Sequence, residues 1–449
     1  MREARGRGRR LEEREFHVEH ATIVAIATAP GRGAIGVIRV SGPRAMAVLQ
    51  RLAPGLSPEP RVATLRTLRV DGAVVDQALV LFFPGPRSFT GEDVVELHTH
   101  GAPRLLTLVV QAALREPEVR LAEPGEFTRR ALMNGRVDLT RAEAIVDLVE
   151  ARSEAEVKSA AARLEGSLAR VLEELYQPLL QLSAELEGTL DFPDDAEDVA
   201  SCAPVLKQCL EGARRLEASA RAATQVRQGG LVVLYGPVNA GKSTLFNRLV
   251  GGARALVDDE PGTTRDALEA TVEVGGQLVT LVDTAGFREG AGRIETLGME
   301  RTRQVLQEAD VAVLLRPPEA GAELERWRAE VPDERRLEVM GKADLVETAA
   351  GVPAVSGLKG TGVEGLLALL SARLGTFDGE ALVAGARHLE ALTRVREALE
   401  RAQEALDGST VEVVAGEVSL ALSALGDVMG LDVSQARLDA LFARFCIGK

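Results

Sequence analysis

The apolar positions of this chain change their period three times. From Ala21 to about Ala131, short apolar and β-branched runs, "TIVAIA", "GAIGVIRV", "VVDQALVLFF" and "DVVELHTH", are separated by helix-like "RAMAVLQRL" and "PRLLTLVVQAAL". This alternation predicts an N-terminal α+β domain over 21–135. After "PGEFTRRALMNGRVDLTRAEA" the spacing turns helical. Leu164, Leu168, Leu172, Leu175, Leu179, Leu182 and Leu186 recur at steps of four and three, an apolar seam on one face of a long helix. The seam reads as bundle core, with a dimer contact as the other reading. "DFPDD" at 191–195 ends it, and a second helix is predicted from about Pro204 to Gln228.

A third texture starts at "GGLVVLYG" and runs to about Leu374. Apolar strands at 231–235, 278–282, 311–315 and 336–340 alternate with helical stretches, the pattern of a doubly wound α/β domain. From about Glu380 long helices return and end in 434–445. The simplest architecture is a multidomain α/β and α chain. An α/β domain over 229–374 is inserted into a discontinuous helical domain whose two parts, 136–228 and 375–449, pair in space.

Composition narrows the partners. The chain has 449 residues, 46% hydrophobic and 27% charged, and no apolar run long enough to span a bilayer. A formal net charge of −14 argues against a large basic surface that grips a phosphate backbone, so a nucleic acid would be met by a local patch or through another protein. Cys202, Cys209 and Cys446 form neither a disulfide framework nor zinc-ligand spacing, which points to a reducing, cytoplasmic setting. Residues 1–20, opening "MREARGRGRRLEER", lack the apolar stretch of a secretory signal and are expected to be a disordered tail.

"GPVNAGKST" at 236–244 follows a predicted strand and opens a predicted helix, the context that gives G-x-x-x-x-G-K-[ST] its meaning. Gly236 and Gly241 let the backbone turn its N–H groups toward a phosphate, Lys242 reaches the β/γ-phosphates and Ser243 can ligate Mg²⁺. Farther on, "PGTTRD" supplies Thr264 as a second magnesium ligand, and "DTAG" supplies Asp283 for the metal's water and Gly286 to sense the γ-phosphate. In that order these motifs predict a Ras-like P-loop GTPase domain that is also a switch.

The base-reading motif departs from the usual Asn-Lys-x-Asp: here it is "GKAD", with Gly341 in the asparagine position, then Lys342 and Asp344. The aspartate accepts both guanine N–H groups and so favours GTP over ATP. The missing amide is expected to weaken binding by roughly 1–3 kcal/mol. "SGLKGTG" at 356–362, opening with Ser356, fits the loop that closes over the base, with a small departure, since Ser-Ala-Lys/Arg is usual. Phe287 follows "DTAG" where Ras-like switches carry glutamine, so the water-orienting group must come from elsewhere, and Glu295 in "GRIETLG" is close enough to reach back. Arg265, Arg288 and Arg293 are candidate arginine fingers or solvated surface residues.

Motifs from all three regions converge. "TIVAIATAPGRGAIGVIRVSG", "FTGEDVVELHTHG", "PGEFTRRALMNGRVDLTRAEAIVDLVEA", "LDFPDD", the interrupting GTPase motifs and a terminal "FCIGK" together resemble the MnmE (TrmE) family of tRNA-modification GTPases, among the TrmE-Era-EngA-like GTPases. The similarity runs from about Ala21 to the last residue. It implies a homodimer formed through the N-terminal domain, which binds 5-formyl- or methylene-tetrahydrofolate. It implies a flavoprotein partner, MnmG (GidA), and a tRNA substrate whose wobble uridine gains an aminomethyl or carboxymethylaminomethyl group at C5. No membrane is involved.

Carried over by position, the folate contacts are Arg39, Glu96, Arg136 and Lys449, the family often having Lys where Arg136 stands. The nucleotide contacts are Asn239, Ala240, Gly241, Lys242, Ser243, Thr244, Asp258, Asp259, Glu260, Pro261, Gly262, Thr263, Thr264, Asp283, Thr284, Ala285, Gly286, Lys342, Asp344 and Ser356. Magnesium falls to Ser243 and Thr264. A K⁺ ion that replaces the arginine finger and joins two G domains falls to Asn239, Asp258, Glu260 and Thr263, mostly through backbone carbonyls in 258–263. The family's water-orienting glutamate aligns with Glu295, in agreement with the deduction from Phe287.

The resemblance also bears on the tail "CIGK". With Gly448 and a terminal Lys449 it is a poor prenylation signal. Cys446 is then either a small buried apolar residue closing the last helix or a thiol with a part in the chemistry. His98 and His100, two apart on a predicted strand, share one face and read as a polar pocket wall rather than a metal pair. A regulatory switch that docks a ribosome or assembly factor without folate is the competing reading.

Overall fold

A computed structural model describes residues 21–191, 199–252, 269–284, 302–319, 323–345, 352–374, 385–406, 410–431, 435–443, 445–446 and 448. The chain divides into two compact units, 1–142 with 432–449, and 143–431.

The first unit is a six-stranded sheet of β1 (Thr22–Ile26), β2 (Gly33–Ser41), β3 (Thr64–Val70), β4 (Ala73–Phe83), β5 (Val94–Gly101) and β6 (Val119–Leu121), in the order β3-β4-β5-β2-β1-β6. The alternation read from the sequence decides which side chains meet. Ile38, Val40, Leu68, Ala78, Val80, Val95 and Leu97 point to one face, where α1 (Ala45–Leu52) and α2 (Pro103–Ala113) cover them. Gly36 is required there, because a Cβ would stand 2.7 Å from both methyl carbons of Leu106. The opposite face carries Arg39 against Glu96 and Val37 against His98. Ile23 and Ala25 of β1 meet Phe127 of α3 (Glu126–Met133) on that face.

The chain end joins this unit. Phe442 and Phe445 are buried with their rings 5.0 Å apart, and a Cβ on Gly125 would lie 2.9 Å from the Phe445 Cβ and 3.0 Å from the Phe442 carbonyl. Gly125 sits at φ +67° as the residue that starts α3, so both conformation and space call for glycine. By its contacts the segment 432–449 groups with the first unit.

In the second unit, α4 (Leu139–Glu150, continuing from the first unit) and α5 (Glu154–Leu164) precede α6 (Ser167–Asp191) and α7 (Ala203–Gln228). The predicted seam is broken once: Gly166, at φ +87°, separates α5 from α6, so Leu164 ends the earlier helix. Leu168, Leu172, Leu175, Leu179, Leu182 and Leu186 do line one core, with Leu206, Leu210, Leu392, Leu399, Val418 and Leu425 from residues far apart in sequence. "DFPDD" lies largely outside the described residues.

The same unit holds a five-stranded sheet of β7 (Gly230–Tyr235), β8 (Glu269–Val274), β9 (Gln277–Asp283), β10 (Val311–Arg316) and β11 (Arg336–Met340), ordered β11-β10-β7-β9-β8. β7, β9, β10 and β11 run parallel, and β8 adds an antiparallel edge through the turn Gly275-Gly276, at φ +60° and +82°. One face packs α8 (Lys242–Gly252) through Leu245 and Leu249, and the other packs Leu306, Leu324 and Trp327. Strand order reverses at β7, and β7 leads into the phosphate-loop sequence, where a doubly wound sheet places its ligand crevice.

Candidate functional site

β7 ends at Tyr235 and α8 begins at Lys242, leaving Gly236–Gly241 as a tight loop at the carboxyl end of the sheet. Gly236 at φ +136° approaches the Leu315 carbonyl so closely that a Cβ would overlap it, and Gly241 sits at φ +100°. Asn239, at φ +61°, is a non-glycine in the left-handed region, a place asparagine tolerates best among the larger residues. Lys242 is buried, and its Nζ donates to the Pro237 carbonyl at 2.8 Å and the Gly236 carbonyl at 3.1 Å. Its charge is therefore set inside the curl of the loop. Ser243 and Thr244 are exposed on the first turn of α8.

Asp283 closes β9 directly beside Leu234 of β7 and is buried. Thr284 donates its hydroxyl to the Leu234 carbonyl at 2.9 Å, pinning the end of β9 to the strand that feeds the loop. A hydroxyl from Ser243 and the Asp283 carboxylate are hard oxygen donors, the chemistry that suits Mg²⁺.

The "GKAD" motif follows β11. Gly341 N–H donates to the Arg316 carbonyl at 2.8 Å and Ala343 N–H to the Val355 carbonyl at 3.1 Å, which ties this loop to the one beginning at Ser356. Lys342 is left-handed at φ +57°, beside the phosphate loop: its Cγ lies 3.8 Å from where a Cβ on Gly241 would stand. Ser356, fully buried, donates to Asp344 Oδ1 at 2.6 Å, and this hydrogen bond is the main reason the Asp344 carboxyl is held below its ordinary value. Arg248 of α8 reaches across to the carbonyls of Gly357, at 2.9 Å, and Leu358.

In the first unit, the open face of the sheet gathers a second cluster. Arg39 Nε donates to Glu96 Oε1 at 2.9 Å, while His98 Nε2 lies 3.1 Å from Glu96 Oε2, so both oxygens of one carboxylate are engaged. The Arg39 guanidinium carbon stands 5.7 Å from the ring centres of both Phe89 and Phe127. Its Nη1 donates to the Gly448 carbonyl at 3.2 Å. Gly448, at φ +101°, lies against β1, where a Cβ would be 2.5 Å from the Ile26 carbonyl oxygen. Arg136 is exposed and donates to the Ser88 carbonyl at 3.2 Å, next to Phe89. Behind them Arg130, buried, holds Glu92 and Glu126. Burial pushes the Glu126 carboxyl up, but Arg120, the Glu123 N–H and Arg130 outweigh it and hold it below the ordinary range.

Two family matches that together span most of the chain decide the family. Residues 22–136 match the family described as "GTP-binding protein TrmE N-terminus", and residues 139–446 match "MnmE helical domain". The chain is 54% identical to the tRNA modification GTPase MnmE of Myxococcus xanthus, covering 95% of this chain and 99% of that one. It is 44% identical to the protein of that name from Methylorubrum populi, covering 96% and 99% respectively, and 40% to that of Parvibaculum lavamentivorans, covering 95% and 100%. The chain belongs to the MnmE family.

Of the positions carried over from MnmE, the structure groups Asn239, Ala240, Gly241, Lys242, Ser243 and Thr244 with Asp283 and Thr284 at one sheet edge. Lys342, Asp344 and Ser356 form the adjoining loop pair. Asp258, Asp259, Glu260, Pro261, Gly262, Thr263, Thr264, Ala285, Gly286, Glu295 and Lys449 lie outside the described residues, as do Arg265, Phe287, Arg288 and Arg293. Cys446 is exposed, which sets aside its reading as a buried apolar residue: Phe445 beside it takes the buried place. His98 and His100 share a face but serve different carboxylates, His100 Nδ1 meeting Asp76 at 2.7 Å. Among the described residues there is no metal-holding cluster of His, Cys, Asp and Glu, and no helix long and apolar enough to cross a membrane. Phe89, Phe127 and Arg248 escaped the sequence reading, although "FTGED" and "EFTRR" flag the two aromatics as parts of MnmE motifs.

Proposed function

We propose that this GTP hydrolase of the MnmE family acts as the GTPase subunit of a tRNA-modifying complex. With the flavoprotein MnmG (GidA) it adds an aminomethyl or carboxymethylaminomethyl group to C5 of the wobble uridine of certain tRNAs, using a one-carbon unit from 5-formyl- or methylene-tetrahydrofolate. The observation that carries the nucleotide half is the placement of Lys242 inside the phosphate loop with the Asp344–Ser356 pair on the neighbouring loop.

Asp344, kept ionised by Ser356, accepts the two N–H groups of guanine, and adenine offers no such pair. Lys242 balances phosphate charge, and the loop N–H groups with the start of α8 hold the phosphates. Ser243 and Thr264 would hold Mg²⁺, with Asp283 on its water; when bound, the ion neutralises charge on the β- and γ-oxygens. Glu295 orients the attacking water. Asn239, exposed on the rim of the loop, would take K⁺ together with Asp258, Glu260 and Thr263, joining two G domains for hydrolysis.

For the folate half, a pterin presents an amino and ring N–H edge like that of guanine, and the Glu96 carboxylate is an acceptor suited to it. Arg39 and His98 fix that carboxylate, Phe89 and Phe127 offer apolar faces, and Arg136 and Lys449 suit the anionic tail of the folate. The assembly is a homodimer through the N-terminal domain, working in the cytoplasm.

The test is GTP hydrolysis by the purified chain in KCl against NaCl at equal ionic strength, with Asn239→Ala alongside, followed by tRNA modification with MnmG and tetrahydrofolate. Potassium stimulation lost in the variant, with folate-dependent modification, is expected. Equal rates in both salts would remove the cation-assisted mechanism. Absence of folate binding would favour a docking switch.

A further inference from the structure

Two loops touch the phosphate-loop region, and each does so through a glycine. At Gly341 a Cβ would overlap the Ala240 carbonyl oxygen and stand 3.1 Å from Leu315 Cγ. At Gly357 it would stand 2.7 Å from the Leu245 nitrogen, 2.8 Å from the Thr244 carbonyl carbon and 2.9 Å from the Leu245 Cα. Neither glycine has the positive φ that would demand it on conformational grounds, so space is the reason at both. The obstructing atoms are mostly backbone, which cannot swing aside as a long side chain would. Both positions are also departures from the usual guanine-reading motifs, which carry asparagine at 341 and, in place of Gly357-Leu358, alanine followed by lysine or arginine.

A third contact locks the arrangement. Arg248, one turn along α8 from Thr244, donates to the carbonyls of Gly357 and Leu358 from an exposed position. Ser356, the residue before Gly357, holds Asp344, three residues beyond Gly341. The carboxylate that reads the base is thus located through a chain from Arg248 to the 357–358 carbonyls, to Ser356, to Asp344, and from the other side by Gly341 resting on Ala240.

We propose that Gly341 and Gly357 are specificity-determining positions that seat the base-reading loops directly on the phosphate loop and α8, with Arg248 as the positioning residue that clamps them. Backbone contact takes over the work an asparagine amide does elsewhere. The absent asparagine is then no simple loss, because putting it back lifts the loop from Ala240 and moves Asp344 out of register with the base. The proposal rests on the reading of 341–344 and 356–360 as base loops.

The experiment measures fluorescent GDP and GTP affinity, the GTP-over-ATP preference and thermal melting on the full chain. Gly341→Ala, Gly341→Asn and Gly357→Ala are each expected to weaken guanine-nucleotide binding by about tenfold, as overpacking against backbone does. Arg248→Ala is expected to weaken it roughly fivefold and lower the GTP-over-ATP ratio with melting unchanged, and Arg248→Lys to restore part of both. Tighter or unchanged binding in Gly341→Asn would overturn the proposal, as would an Arg248→Ala that keeps wild-type affinity and preference. If the glycine variants unfold, the Arg248 pair decides alone. Asp344→Asn tests the underlying reading separately: it should lose guanine and gain xanthine nucleotides. If it leaves GTP binding intact, the loops do not read the base and the proposal falls for that reason.

Discussion

The Ser356 hydroxyl donates to Asp344 at 2.6 Å and at the same time accepts the Lys359 N–H at 3.1 Å. One buried oxygen thus joins the carboxylate proposed to read the base to the backbone of the neighbouring loop. Ser356→Ala is expected to cost roughly tenfold in GDP affinity, the worth of a hydrogen bond to a charged group. Because the bond holds the Asp344 carboxyl below its ordinary 3.8, binding should stay flat on this group's account from neutral pH down to that value. Titration calorimetry across pH checks both statements.

Lys242 is placed by the carbonyls of Gly236 and Pro237, so its charge is already aimed before any phosphate arrives. Lys242→Ala should lower kcat/KM for GTP by about 10²–10³, the scale of losing one preorganised charge donor. The fold should survive, because the Gly236 and Pro237 carbonyls it would release lie in a loop where water can satisfy them. Steady-state hydrolysis and circular dichroism together make the check.

Glu143 is a half-buried carboxylate bracketed by His388 Nε2, at 2.8 Å, and Arg387. Burial pushes its carboxyl up, but the His388 and Arg387 contacts outweigh this and hold it below 4.5. A depressed carboxyl stabilises the fold above the unfolded value and loses that contribution as pH falls through the folded one. Glu143→Gln should therefore cost about 1–3 kcal/mol near neutral pH. The gap to wild type should narrow only below 4.5. Urea unfolding at a series of pH values would show a constant gap if the argument were wrong.

Gly125→Val places a branched side chain against Phe445 and the Phe442 carbonyl at a left-handed φ. The expected cost is about 1–3 kcal/mol of local stability at the docked chain end. Limited proteolysis should cut the last residues faster in the variant, with the second unit melting unchanged.

The three cysteines should separate by rate. Cys202 and Cys209 are buried, and burial pushes the Cys209 thiol up to about 11, whereas Cys446 is exposed. A thiol reagent should modify Cys446 in the native protein and reach the other two only on unfolding. Parallel tRNA-modification assays on Cys446→Ser would then tell whether the reactive thiol takes part in the chemistry.

Much of the fold could be read from periodicity because burial imposes it. β7, β9 and β10 are near-continuous apolar runs, as buried parallel strands must be, while the edge strand β11, "RLEVM", alternates; all four fall within a residue or two of the spans their patterns mark. β8, "EATVEV", carries glutamates at an exposed edge and offered no such run. The seam of leucines was visible, but not the break at Gly166, since the spacing of leucines passes through a turn that only backbone geometry reveals. At the candidate site, Lys242, Asp283, Asp344 and Ser356 stand in motifs whose spacing could be read from the sequence alone. Arg248 and Phe127 have no such signature: Arg248 meets Gly357, 109 residues away, Phe127 meets Arg39 far back in the chain, and only packing brings each pair together.

Arg39 reaches Gly448 across nearly the whole length of the chain. A contact of that span has a consequence for synthesis. The sheet bearing Arg39 and Glu96 leaves the ribosome early, yet the segment that completes it is translated only after the entire second unit, residues 143–431, has had time to fold. The N-terminal site should therefore stay unfinished on every nascent or prematurely terminated chain, so that such fragments, even with an intact G domain, would turn over nucleotide without a finished first unit to use it.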